Sequence, residues 1–193
     1  MKPENILCVD KACQKLKVVD FGSGCLANEQ VYTYVQSRYY RAPEVILRIP
    51  YSEKVDIWSL ACILAELYTG EPLFPGNNEQ EQLEYIMELK GIFPESMIDK
   101  SRKKDHYFDD DYSPYLIDHD KYGILRIPES RSLRDAVPSN DKLFLDFIDY
   151  CLELDPTKRP GAAQAFKHEW IQNFANSSER LKEELLREGT NSR

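Results

Sequence analysis

Lys2 and Asn5 stand at the head of the apolar run Ile6 to Val9, and Asp20 closes a second run, "KLKVVD", with Phe21 and Gly22 behind it. Ala42-Pro43-Glu44 ends a long stretch rich in Tyr and Arg. Asp56 and Trp58 open a strongly apolar segment, and Arg159 lies in "DPTKRP". Taken singly, these residues have an ordinary explanation: an Asn that starts a strand and an Asp that ends one are the polar ends of a hairpin. A lone D-F-G also arises by chance. What is specific is the order and spacing of K-P-E-N at 2–5, D-F-G at 20–22 and A-P-E at 42–44.

That order resembles the protein-kinase signature set, from the end of the catalytic loop to the last arginine of the large lobe. The chemistry implied is phosphoryl transfer, in which charge on the transferring group must be neutralised and little covalent work remains. The resemblance assigns Asp20 to the magnesium ion bridging the phosphates of ATP, Asn5 to a second magnesium, and Lys2 to the transferring phosphate as a point charge. It pairs Glu44 with Arg159 as a buried tie between the activation segment and the helical floor. It also sets Asp56 to cap the catalytic loop through backbone N–H groups. Ala61 stands where the family commonly has Gly in D-x-W-S-x-G, and Ala is the better helix former.

"VYTYVQSRYYRAPEVIL" narrows the resemblance to the dual-specificity tyrosine-regulated kinases, the DYRK family. There the second tyrosine of the Tyr32-Thr33-Tyr34 triplet, Tyr34, is phosphorylated by the kinase itself, with Tyr32 as a secondary candidate. A phosphate adds about −1.5 to −2 charge and would pair with Arg38 or Arg41. Without the flanking motif, Tyr32 and Tyr34 would read as packing residues on one face of an extended segment. Ser37 matches the hydroxyl that bonds the catalytic aspartate, and Arg41 lies where this group shapes the pocket beyond the phosphoacceptor. His168, in "FKHEW", reads as a capping or surface histidine, with Glu169 in place of the proline many kinases carry there.

The family's catalytic loop reads His-Arg-Asp-Leu-Lys-Pro-Glu-Asn, and Met1 stands at the position of the Leu. The resemblance therefore puts the proton-accepting aspartate two residues before Lys2. The Gly-rich loop, the phosphate-gripping lysine and the rest of the N-terminal lobe would also lie outside these residues. The expectation for this polypeptide alone is no measurable phosphotransfer, weak ATP and Mg binding, and self-association through an exposed apolar face. The alternative is a non-catalytic helical interaction module, a pseudokinase-like remnant. The resemblance covers residues 2–174.

The elements that must position these residues can be read from periodicity. "NILCVD" and "KLKVVD" around "KACQ" predict a β-hairpin. "KVDIWSLACILAELYTG" predicts a core helix apolar all round, ended by Gly70 with Pro72 beyond. "NEQEQLEYIMELKG" predicts an amphipathic helix ended by Gly91. "NDKLFLDFIDYCLEL" and "RPGAAQAFKHEWIQNF" predict two more, and 92–140 reads as an irregular, mostly exposed insert. The fold class is thus mainly α: a kinase-like C-terminal lobe with a small N-terminal hairpin over 1–174, then a charged tail over 175–193.

Composition sets outer limits. The 193 residues suffice for one domain, at 42% hydrophobic and 30% charged. A net charge of −8 gives no support to nucleic-acid or anionic-membrane binding. No apolar run approaches the roughly 18 residues of a membrane span. Five cysteines (8, 13, 25, 62 and 151) lack any C-x-x-C spacing, which argues against zinc or a disulfide framework. The expectation is free thiols in an intracellular compartment, cytoplasm or nucleus, with protein substrates as partners.

Overall fold

The computed structural model describes residues 1–11, 15–26, 34–116 and 125–174. A 3₁₀ turn over Pro3–Asn5 leads into an antiparallel pair, β1 (Ile6–Cys8) and β2 (Leu16–Val18), with Ile6 opposite Val18 and Cys8 opposite Leu16. The remaining regular structure is helical: α1 (Pro43–Ile46), α2 (Lys54–Thr69), α3 (Glu79–Lys90), α4 (Glu95–Ile98), α5 (Lys104–Tyr107), α6 (Leu133–Ala136), α7 (Lys142–Cys151) and α8 (Ala162–Ala165), with a second 3₁₀ turn at Arg38–Tyr40. None of the described helices is long and apolar enough to cross a membrane.

α2 is the axis of the core. Its first three turns bury Val55, Ile57, Trp58, Ala61, Cys62, Ile63 and Ala65. Trp58 stacks on Phe74 at 5.9 Å, and α7 lays Phe144, Phe147, Ile148 and Cys151 along the same helix. Ala61 is fully buried in this contact. The apolar circumference is not buried throughout, however. Leu67 is 71% exposed, and Tyr68 is half exposed while its ring meets Phe144 at 5.4 Å. Gly70 then ends the helix in the left-handed region (φ 84°), its N–H bonding the Glu66 carbonyl, a conformation that carries no Cβ penalty in glycine. α3 begins with Asn78 accepting from the Glu81 N–H, and α7 begins with Asp141 accepting from the Phe144 N–H.

One expectation is qualified and one corrected. About half of the described residues of 92–140 are exposed, but the stretch also supplies core residues, Phe93, Met97, Ile98, Tyr107, Phe108 and Val137, and the Ser101 hydroxyl bonds the Leu47 carbonyl at 2.7 Å. Its helices have four residues each, too short for an apolar period to show. The single helix expected from Pro160 to Phe174 is broken. α8 stops at Ala165, and helix resumes over 169–174. His168 makes the break, accepting from the Trp170 N–H on Nδ1 while Nε2 meets Asp146 at 3.1 Å. The segment 175–193 lies outside the described residues.

The thiols divide by depth. Cys62 and Cys151 are buried, and Cys8 and Cys25 are exposed. Burial pushes the Cys151 thiol up to about 12 and Cys62 higher still, so neither supplies thiolate near neutral pH. Ellman titration of the native chain at pH 8 is expected to modify Cys8 and Cys25 within minutes and these two only on unfolding. Rapid reaction of Cys151 in the native state would contradict the packing of α7.

Candidate active-site cleft

The hairpin brings the first candidates together. Pro3 occupies the first position of the 3₁₀ turn, where its missing N–H costs nothing, and the turn delivers Asn5 to the start of β1. The Val19 N–H bonds the Asn5 carbonyl at 2.9 Å, so the chain leaving β2 passes directly beside Asn5. Asp20 then turns away in the left-handed region (φ 62°), a conformation Asp and Asn tolerate better than most residues. The Asn5 amide reaches the Asp20 carboxylate at 3.4 Å, and the Gly22 N–H reaches its other oxygen at 3.4 Å. These are long, weak contacts on an exposed carboxylate. Lys2, Asn5 and Asp20 share one cleft of about 670 Å³ with Tyr34, Ser37, Arg41 and Asp56.

The donors there are a carboxylate and a carboxamide, both hard oxygen ligands. Among the described residues, no three His, Cys, Asp or Glu side chains converge into a self-contained metal cage. A magnesium ion needs none: it keeps several waters and takes one or two carboxylates plus substrate phosphate oxygens. Asn5 and Asp20 fit an ion shared with a nucleotide.

The opposite wall of the cleft is held by Gln36, a residue that sequence reasoning passed over although it stands inside the quoted motif. Gln36 is left-handed (φ 68°), and its side chain acts as a staple. Nε2 donates to the Val55 carbonyl at 2.9 Å and to Ser59 Oγ at 2.7 Å, while Oε1 accepts from the Ala42 N–H at 3.0 Å. Ser59 Oγ in turn donates to the Tyr40 carbonyl at 2.8 Å. The segment 36–42 is thereby fixed to α2. Ser37 opens the 3₁₀ turn and faces both the cleft and a smaller pocket of about 350 Å³ that contains Glu4, Tyr40 and Glu66. The Tyr40 phenol donates to Glu66 at 2.7 Å, and burial together with that carboxylate raises its pKa well above the ordinary tyrosine value.

Tyr34 meets two guanidinium groups. Arg41 donates to its phenol oxygen, and the Arg41 and Arg48 guanidinium carbons each lie 3.9 Å from its ring centroid. Arg41 is buried and also donates to the carbonyls of Val35 and Gln36. Arg38, the other arginine expected near Tyr34, instead lies over Tyr39 at 5.9 Å. Arg48 was not foreseen, since its neighbourhood is set by a turn into α2 that no periodicity marks. Tyr32 lies outside the described residues.

Below the cleft, Arg159 and Glu44 form a bidentate ion pair at 2.6 and 2.9 Å, with neither side chain exposed. Arg159 also donates to the carbonyls of Glu153, Lys54 and Leu154 and sits over Trp58 at 5.1 Å. Asp56, at the start of α2, accepts from the Met1 amino group at 3.2 Å.

The model of the protein kinase domain matches residues 1–171, and the chain belongs to that family. Within it the chain is DYRK-like. It is 48% identical over 171 residues to the "Probable serine/threonine-protein kinase dyrk2" of Dictyostelium discoideum, covering 89% of this chain and 19% of that protein. It is 47% identical over 180 residues to the "Dual specificity tyrosine-phosphorylation-regulated kinase 2" of Drosophila melanogaster, covering 93% and 25%. It is 45% identical over 187 residues to the human "Dual specificity tyrosine-phosphorylation-regulated kinase 4", covering 97% and 36%. The chain thus spans between about a fifth and a third of the length of these relatives.

Proposed function

We propose that residues 1–174 are the large lobe of a DYRK-type protein kinase that transfers the γ-phosphate of ATP to Ser, Thr and Tyr hydroxyls of proteins. The observation that carries this reading is the meeting of Asn5 and Asp20 at 3.4 Å in one cleft with Lys2 and Ser37. Magnesium–ATP, when bound, supplies the phosphoryl group and neutralises its charge. In this reading Asp20 and Asn5 hold the metal, Lys2 faces the transferring phosphate, and Ser37 orients the aspartate that accepts the substrate proton. Arg41 has two tasks, at the wall of the substrate pocket and beside Tyr34, which is the activation-segment phosphosite. In this reading the aspartate that accepts the substrate proton is a positioned general base, worth about 10²–10⁴-fold.

The test is a chimera in which the part of the Dictyostelium relative that ends at its catalytic-loop aspartate is joined ahead of Met1. Phosphorylation of a basic-protein substrate is followed with radiolabelled ATP. The chimera is expected to give turnover above the counts of a control without enzyme. A chimera that folds and stays silent favours the second reading, a helical interaction module. Exposed apolar side chains on both faces of the hairpin (Leu7 and Val9 on one, Leu16 and Val18 on the other), with Phe21 in the turn after it, give that module its surface.

A further inference from the structure

Arg48 stands apart from the kinase machinery described above. It is one of the few non-glycine residues in the left-handed region (φ 58°), and it directs its side chain to two groups at once. One is Glu79 at the start of α3, at 3.0 Å; the other is the Tyr34 ring, at 3.9 Å. Glu79 also accepts from the Tyr107 hydroxyl at 3.2 Å, so a carboxylate fixed by α3 and α5 holds the guanidinium in place.

The charges do not balance around Tyr34. Two guanidinium groups flank one phenol, and among the described residues only Arg48 of the two has a carboxylate within salt-bridge distance. Among the described residues, the hydrogen bonds of Arg41 go to two carbonyls and the phenol oxygen. Burial lowers the Arg41 pKa, against the opposing charges of Tyr34 and Glu79, and the Arg48 charge adds a smaller push in the same direction as burial. The missing counter-charge would sit on the Tyr34 oxygen. A phosphate there brings close to two negative charges and three acceptor oxygens, matched to bidentate guanidinium donors.

We propose that Arg48 is a second phosphate-binding cation at Tyr34, with Glu79 as its counter-ion until the phosphate arrives. The proposal rests on the reading of Tyr34 as the phosphosite beside Arg41, and it adds a competitor: Glu79 and the phosphate draw on the same guanidinium. Once the phosphate is in place, Arg48 turns from the carboxylate toward it. The Glu79–Tyr107 pair at the head of α3 is then left without its cation. The modification state of Tyr34 is thereby transmitted to α3 and α5, some of whose residues were expected to be an exposed insert.

The experiment uses the full 193-residue chain with phosphotyrosine installed at position 34 during translation, and follows the phosphate by ³¹P NMR across pH. Free phosphotyrosine loses its last proton near pH 6. Two adjacent cations are expected to lower the midpoint in the parent chain, and Arg48→Gly to raise it again by about one unit, the effect of removing one close opposite charge. Glycine suits the left-handed backbone at 48, so this variant removes the cation without straining the fold. Arg48→Lys is expected to fall between the two. Glu79→Gln frees Arg48 and is expected to lower the midpoint below that of the parent. A depressed parent midpoint that neither Arg48→Gly nor Glu79→Gln moves overturns the role of Arg48. A parent that titrates like free phosphotyrosine overturns the phosphosite reading itself.

Discussion

Glu44→Ala is expected to lower the unfolding free energy by about 3–5 kcal/mol, because it leaves the Arg159 guanidinium charged and buried without its partner. Both side chains are fully inaccessible, so water cannot replace the lost carboxylate. The three carbonyls that accept from Arg159 solvate it only in part. Urea unfolding read by tryptophan fluorescence suits the measurement, since Trp58 lies against Arg159. A shifted midpoint with unchanged slope isolates stability from compactness. The double replacement Glu44→Met with Arg159→Met should recover part of the loss, since it removes the orphaned charge while leaving only carbonyls unpaired. A cost below about 1 kcal/mol, the range of exposed pairs, would show that the tie is open to water in solution.

The second large effect is chemical and almost free of structural cost. In the chimera, Asp20→Asn is expected to reduce phosphotransfer by about 10³-fold, near 4 kcal/mol of transition-state stabilisation, as the carboxylate proposed to face metal and phosphate becomes a neutral amide. Stability should stay within about 0.5 kcal/mol. Asp20 is exposed, its two contacts are long, and Asn accepts the left-handed backbone at least as well. The comparison is made between kcat and Tm on one preparation. Retained turnover would remove Asp20 from the metal site, and a parallel fall in Tm would make its role structural.

Much of this architecture could be read from the residue order. α2, α3 and α7 each carry either a dense apolar stretch or a clear i, i+3, i+4 stripe, and each stops at a glycine or a change of pattern. The hairpin was visible as two short apolar runs around a polar loop. The cleft was legible for a different reason: K-P-E-N and D-F-G flank the hairpin, so any antiparallel pairing of β1 and β2 must bring Asn5 to Asp20. Hidden parts depended on contacts that no local pattern encodes. Gln36 works through its backbone angle and through partners that include Val55 and Ser59, 19 and 23 positions away. Arg48 meets Glu79 across 31 positions, and Arg38 turns to Tyr39 although its spacing from Tyr34 matched that of a phosphate ligand. The four-residue helices α4 and α5 bury large side chains at intervals set by tertiary packing, which a window of eleven or more residues averages away.

The hairpin that carries Asn5 and Asp20 has a further consequence for how nucleotide is received. It is a two-stranded sheet of three-residue strands, and most of its side chains face water. Such a pair is marginal on its own, whereas α2 and the Glu44–Arg159 tie are protected by the whole core. Native-state hydrogen exchange should therefore find β1 and β2 opening far more readily than α2. A ligand that requires Asn5 and Asp20 together binds only the closed fraction of these molecules. Its apparent dissociation constant rises as that fraction falls. Whatever packs against the outer face of the hairpin acts as an affinity control for the proposed metal site, without touching Asn5 or Asp20.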